Sequence, residues 1–153
     1  MHMHVKRNVQ YNKMNKSSIN LVDLPYEILF IILKKLDNMN VLYSLSNTGN
    51  QRFDRLVNDE TFTKTLNFTI TTSTNDICPI SDLLFNRFCV DILPRIDYNV
   101  KSLILDAGSM ERILHAATFP NLTELTVFNF NEKALSHSFT GKLILLLFFF
   151  LFI

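Results

Sequence analysis

The side chains best able to do chemistry in this sequence stand apart from one another, and their spacing limits what they can do. Cys78 and Cys89 lie eleven positions apart, with no CxxC pair and no Cys/His cluster. Neither a zinc site nor a disulfide framework is signalled, and reduced structural thiols are expected. His2 and His4 share the N-terminal tail without further ligands, which is weak support for a metal. His115 falls inside an expected helix and reads as a surface or hydrogen-bonded residue, and His137 between Ser136 and Ser138 needs no catalytic explanation. With three glycines and no phosphate-cradling loop, no nucleotide motif emerges either. Catalysis, cofactor and metal are therefore not expected.

Binding is what remains, and composition limits its kind. A chain of 153 residues accommodates one compact unit, or a small module with a partner domain, and leaves no room for a large catalytic domain. Fifteen basic and fourteen acidic residues leave a formal charge of +1, so no overall field draws the chain to nucleic acid or an anionic membrane. Shape and apolar contact must carry recognition. Lys6, Arg7, Lys13 and Lys16 precede Leu21 without an acid. Residues 1–17 therefore read as a disordered basic tail; its only aromatic, Tyr11, gives RNA little to stack on, and no nucleic-acid partner is expected. No apolar stretch of the signal-peptide kind follows that leader, which favours the cytoplasm or nucleus and leaves the sequons at Asn15, Asn67 and Asn121 unused.

Periodicity then locates the elements. Leu24 and Pro25 open a helix with Pro in a first-turn position and Glu27 near the positive dipole end. Ile28, Leu29, Ile32, Leu33 and Leu36 recur at helical spacing, Lys34 and Lys35 occupy the last turn, and the helix is expected to end near Asp37 and Asn38. Phe30 and Ile31 make it apolar around most of its circumference, more than a small domain can bury, so a permanent partner is expected. Asn38 or Asn40 can cap a second short helix with Val41, Leu42 and Leu45, stopped by Gly49, and Asn50 starts a third with Phe53, Leu56 and Val57 inward.

Leu24-Pro25-Tyr26-Glu27-Ile28-Leu29, followed by Ile32-Leu33, Leu36, Leu42, Leu45, Phe53 and Leu56, resembles the F-box family over about 40 residues, with Phe62 standing where many members carry Trp. The resemblance implies a three-helix module over 18–62. It also implies docking on a Skp-type adaptor, and through that adaptor on a cullin scaffold and a RING subunit. Carried over by motif, the adaptor-binding residues are Leu24, Pro25, Ile28, Leu29, Ile32 and Leu33, with Leu42, Leu45, Phe53 and Leu56 completing the module. Which of these face inward is left open by spacing alone.

Downstream, 63–141 reads as a strand–helix array. Leu66 to Ile70 alternates like a half-buried strand, Thr71 to Asp76 reads as a loop, and a helix capped by Ser81 carries Leu84, Phe88 and Ile92 until Pro94 stops it near Leu93. Val100-Lys101-Ser102-Leu103-Ile104-Leu105 aligns with Leu122-Thr123-Glu124-Leu125-Thr126-Val127 at an offset of 22, a pattern that resembles the LxxLxL core of a leucine-rich repeat. Ser109 and Asn131 are the expected caps of the helices that follow these strands. The fold class expected is thus α+β: a three-helix F-box and a short, truncated strand–helix solenoid, as in F-box/leucine-rich-repeat substrate receptors. An unknown protein target would meet strand residues such as Lys101, Ser102, Thr123, Glu124 and Thr126.

From Leu143 to Ile153 every residue is Leu, Ile or Phe. As a helix this run reaches about 16 Å, against roughly 30 Å of hydrocarbon, so it does not span a membrane alone. A truncated or misjoined reading frame over 142–153 is the first expectation, a buried terminal strand the second and a membrane anchor the third. A membrane-held protein, or a repeat scaffold that has lost adaptor binding, are the rival functions.

Overall fold

The computed structural model describes residues 20–129. The basic tail, the helix expected at Asn131 and the terminal apolar run lie outside the described residues. What is described is an α+β fold of short helices and two small sheets.

A 3-10 turn at Leu21–Asp23 leads into α1 (Tyr26–Leu33), with Pro25 at its cap. The helix ends earlier than the spacing predicts. The Lys35 and Leu36 N–H groups donate to the Ile32 and Leu33 carbonyls three residues back, both at 3.0 Å, which tightens the chain out of α geometry. The next cap is Asp37, whose Oδ1 accepts the Asn40 N–H at 3.2 Å and starts α2 (Asn38–Leu45). Asn38, an expected cap, is engaged elsewhere: its amide donates to the Phe62 carbonyl at 3.2 Å and to the Thr65 carbonyl. Asn47 and Gly49 take left-handed φ of 61° and 74° after that helix, the conformation that ends helical hydrogen bonding. Asn50 then caps α3 (Gln51–Val57) as expected, accepting the Arg52 N–H at 2.9 Å. A further turn, α4 (Glu60–Thr63), was not foreseen; Asp59 caps it and it carries Phe62 into the core.

β1 (Thr65–Asn67) follows, then a hairpin of β2 (Thr69–Thr71) and β3 (Ile77–Pro79). The loop between them is the Thr/Ser/Asn run. β3, three residues ending in Pro, was not legible as a strand. α5 (Asp82–Arg87) begins after Ser81, whose side chain makes no cap bond. Pro94 does not stop this segment. The chain widens into a π turn over Phe88–Ile92, with the Leu93 N–H donating to the Phe88 carbonyl five residues back, and continues as α6 (Leu93–Ile96). The wider turn makes room for the proline ring, and Pro94 then sits in a first turn where a missing N–H costs nothing.

β4 (Ser102–Asp106) runs directly into α7 (Ala107–Ala116), and β5 (Glu124–Phe128) completes a parallel sheet of order β1-β4-β5. The cap of α7 is Asp106, Oδ1 accepting the Gly108 N–H at 2.9 Å. Ser109, the expected cap, is buried in the first turn instead, because no loop intervenes between strand and helix. The offset of 22 is the register of the sheet, with Ser102 opposite Glu124, Leu103 opposite Leu125 and Asp106 opposite Phe128. Leu66 joins the same row opposite Leu103. One apolar cluster runs from Leu29 to Leu122, so the helices of the first half and the sheet of the second share a core. Phe68 anchors its middle, edge-on to Phe85 and Phe88 with ring centroids 6.0 and 5.4 Å away, a favoured aromatic geometry.

Candidate functional site

α1 carries one charged residue, Glu27, in eight. Its core-facing stripe is Leu29 and Leu33, four apart and buried. Phe30 is half-buried, stacked near Tyr26 at 6.2 Å and edge-on to Phe62 at 5.7 Å, with the Lys34 ammonium 5.6 Å from its ring. The rest of the helix points outward. Leu21, Val22, Tyr26, Ile28, Ile31, Ile32 and Leu36 are each 40–56% exposed, seven large apolar side chains within sixteen positions. Singly scattered apolar exposure is ordinary, so a concentration of this kind makes these residues the candidate docking site of the described chain.

The residues expected to meet an adaptor therefore divide by role. Leu29, Leu33, Leu42, Leu45, Phe53 and Leu56 are buried and build the platform, Leu24 is half-buried against it, and Pro25, Ile28 and Ile32 are exposed. Leu21, Val22 and Ile31 are also exposed and stand outside the quoted motif, and Leu36, which belongs to it, is exposed as well. Ile31 is one of the two residues whose apolarity around the helix led to the expectation of a partner, and it is 56% exposed.

The residues expected to face a target are also divided. Ser102 is buried. The Lys101 ammonium pairs with Glu60 at 3.4 Å, its carbonyl accepts the Thr123 and Glu124 N–H groups at 2.8 and 2.9 Å, and the Thr123 hydroxyl adds a third bond at 3.0 Å. The same arrangement occurs one strand earlier, where the Lys64 carbonyl accepts the Lys101 and Ser102 N–H groups at 2.9 and 3.0 Å. Lys101, Ser102 and Thr123 thus tie successive strand segments together, leaving Glu124 and Thr126 exposed on β5. Two amides reinforce this stitching: Asn99 donates to the Asn58 carbonyl at 3.0 Å and Asn121 to the Tyr98 carbonyl at 2.7 Å. They are 22 positions apart, so the period itself could have found them.

A cleft of about 230 Å³ opens where α2 meets the hairpin and α5, with Met39, Tyr43, Ile80 and Phe88 below and Asp37 and Asn67 at its rim. Asp37 is its only acidic group, and it already caps α2. Among the described residues no group of three His, Cys, Asp or Glu is placed to hold a metal. The two thiols are free; burial pushes the Cys89 thiol up, opposed by the nearby Arg112 guanidinium. Burial also opposes ionisation of Asp97, but hydrogen bonds from the Thr118 hydroxyl and from the Thr118, Tyr98 and Phe119 backbone prevail and hold its carboxyl below the usual range. No described helix is long and apolar enough to cross a membrane. Set against known protein families, curated proteins and solved structures, the chain shows no match.

Proposed function

We propose that this chain is a substrate-receptor subunit of a Skp/cullin/F-box ubiquitin ligase, acting in the cytoplasm or nucleus. The observation that carries this is the outward apolar face of α1, which follows directly from the Leu24-Pro25-Tyr26-Glu27-Ile28-Leu29 opening. Leu29 and Leu33 fasten the helix to its own core, so Ile28, Ile31 and Ile32 are left to be covered by a partner. Burying the remainder of a half-exposed Ile is worth about 1 kcal/mol, and several such residues on one rigid helix give a usable docking energy.

The ligation chemistry belongs to the RING subunit and its charged conjugating enzyme, and this chain contributes geometry. It holds the adaptor through α1 and presents a protein target on the strand–helix region, where Glu124 and Thr126 of β5 are exposed, as are Thr65 and Asn67 of β1. The shared core makes that link stiff. Arg87 of α5 lies 4.3 Å from the Tyr43 ring of α2 and donates to the Ser46 carbonyl at 3.3 Å, so a target held on one half keeps a defined position relative to an adaptor on the other.

Affinity capture of the full chain with a purified Skp-type adaptor tests the assignment. The wild type is expected to retain adaptor and cullin, and Ile28→Gln with Ile32→Gln to lose both while staying folded. Undiminished capture by that folded double variant would remove α1 as the docking helix.

A further inference from the structure

Upstream of α1, the 3-10 turn Leu21–Asp23 adds two further exposed apolar side chains, Leu21 and Val22, to those of the helix. Among the described residues that turn has little to hold it. No residue in it is buried, and its own hydrogen bonds are the Asp23 N–H to the Asn20 carbonyl at 2.9 Å and the Leu24 N–H to the Leu21 carbonyl at 3.4 Å. A single 3-10 turn of this kind is marginal in water.

Among the described residues, one side chain from a different helix ties it down. Arg52, in the first turn of α3, sends its guanidinium across to two backbone carbonyls: one terminal nitrogen donates to Val22 and the other to Leu24, the latter at 2.5 Å. These bonds bridge 30 and 28 positions of sequence. Their donors are charged and held in a planar fork, so they are stronger than neutral bonds and fix direction as well as distance. Arg52 is itself held by the Asn50 cap, which receives its backbone N–H at 2.9 Å. Its partners are main-chain carbonyls, so its effect does not depend on which side chains occupy the turn.

We infer that Arg52 is a positioning residue for the docking surface, clamping Leu21 and Val22 into line with Ile28 and Ile32 so that the partner meets one preformed apolar ridge. This rests on the adaptor assignment proposed above. Without the clamp, the partner must order the turn as it binds, and affinity falls by that ordering entropy. Lysine in place of Arg52 keeps the charge but offers a single point donor, which cannot span two carbonyls in a fixed geometry.

The test uses the full chain and a purified Skp-type adaptor, with affinity measured by titration and exchange of the Leu21 to Leu24 amides measured by hydrogen–deuterium mass spectrometry. Arg52→Met and Arg52→Lys are both expected to speed that exchange and to weaken binding by about five- to thirty-fold, the entropy of ordering roughly one residue of backbone as the partner binds. A merely structural role would weaken binding whatever residues stand at 21 and 22. The decisive arm is therefore Arg52→Met in a background of Leu21→Ser with Val22→Ser, where the ridge is already gone and no further loss is expected. Wild-type affinity in Arg52→Met, or an equal loss in both backgrounds, would overturn the clamp while leaving the adaptor assignment standing. No binding by the wild type would overturn the adaptor assignment, and the docking role of the ridge with it, even if the amides still exchanged faster in Arg52→Met.

Discussion

Two neighbouring positions on α1 are expected to respond in opposite ways to substitution. Leu29 is fully buried and belongs to the cluster that runs through to Leu122, whereas Ile28 and Ile32 are 45% and 41% exposed. Leu29→Ala removes three buried carbon atoms and leaves a cavity, at about 2–5 kcal/mol. At roughly 4 °C of Tm per kcal/mol, the midpoint should fall by about 8–20 °C. Ile28→Gln with Ile32→Gln removes side chains already half in water. Glutamine keeps part of the stem contact and is the better helix former, so the net loss should stay below about 1 kcal/mol, or about 4 °C. Thermal unfolding followed by far-ultraviolet circular dichroism measures both, and adaptor titration on the same samples should rank them the other way, with the stable double variant the poorer binder. Should the double glutamine variant unfold as early as Leu29→Ala, these isoleucines are covered within the chain itself, and the outward face of α1 is not a docking surface.

Three smaller expectations follow from the second half of the chain. Asn121→Ala deletes the bond to the Tyr98 carbonyl and should lower the urea midpoint by the equivalent of about 1 kcal/mol, with Asn99→Ala matching it; no change at either would mean that these amides do not stitch the units. Asp97 has a lowered folded pKa, so its charge contributes stability in full above the unfolded carboxylate value of about 3.9, and that contribution is lost as pH falls through the lower folded value. Asp97→Asn should thus destabilise the protein at neutral pH, with the gap to wild type closing below about pH 4; a gap independent of pH would contradict the assignment. The raised Cys89 pKa predicts slow alkylation of the native protein at neutral pH, slower still in Arg112→Met; labelling at the rate of an unhindered free cysteine, read by mass spectrometry, would count against burial of that thiol.

Much of the local structure was legible because its causes are local. The Asn50 cap, the loop ending at Asp76 and the alignment of Leu103 with Leu125 are statements about neighbouring residues or about a repeated period, and each recurs in the folded chain, although Thr71, expected in the loop, closes β2 instead. Periodicity identifies which residues share a face whenever apolar and polar positions alternate. The misplaced caps show where that logic stops. Asn38 and Ser109 have the right chemistry for a helix start, but Asn38 is held by the Phe62 and Thr65 carbonyls, Ser109 is drawn into the core behind β4, and the acids at 37 and 106 cap in their place. Pro94 ends a helix on local grounds, yet Phe88, Ile92 and Leu93 are all buried, and that packing holds the segment together through a π turn.

The candidate site divides along the same line. The sequence by itself determined that the Leu24 helix is too apolar to be satisfied by a small core, because that follows from composition around one helical turn. It could not determine which residues are left outside, since Ile28, Leu29, Ile31, Ile32 and Leu33 are chemically alike and a helix apolar on every side has no direction of its own. The folded chain settles it by burying Leu29 and Leu33 in the shared core, with Phe30 half-buried edge-on to Phe62, and by bringing Arg52 to the carbonyls of Val22 and Leu24. Contacts across some thirty residues depend on where the chain returns, which no local period encodes.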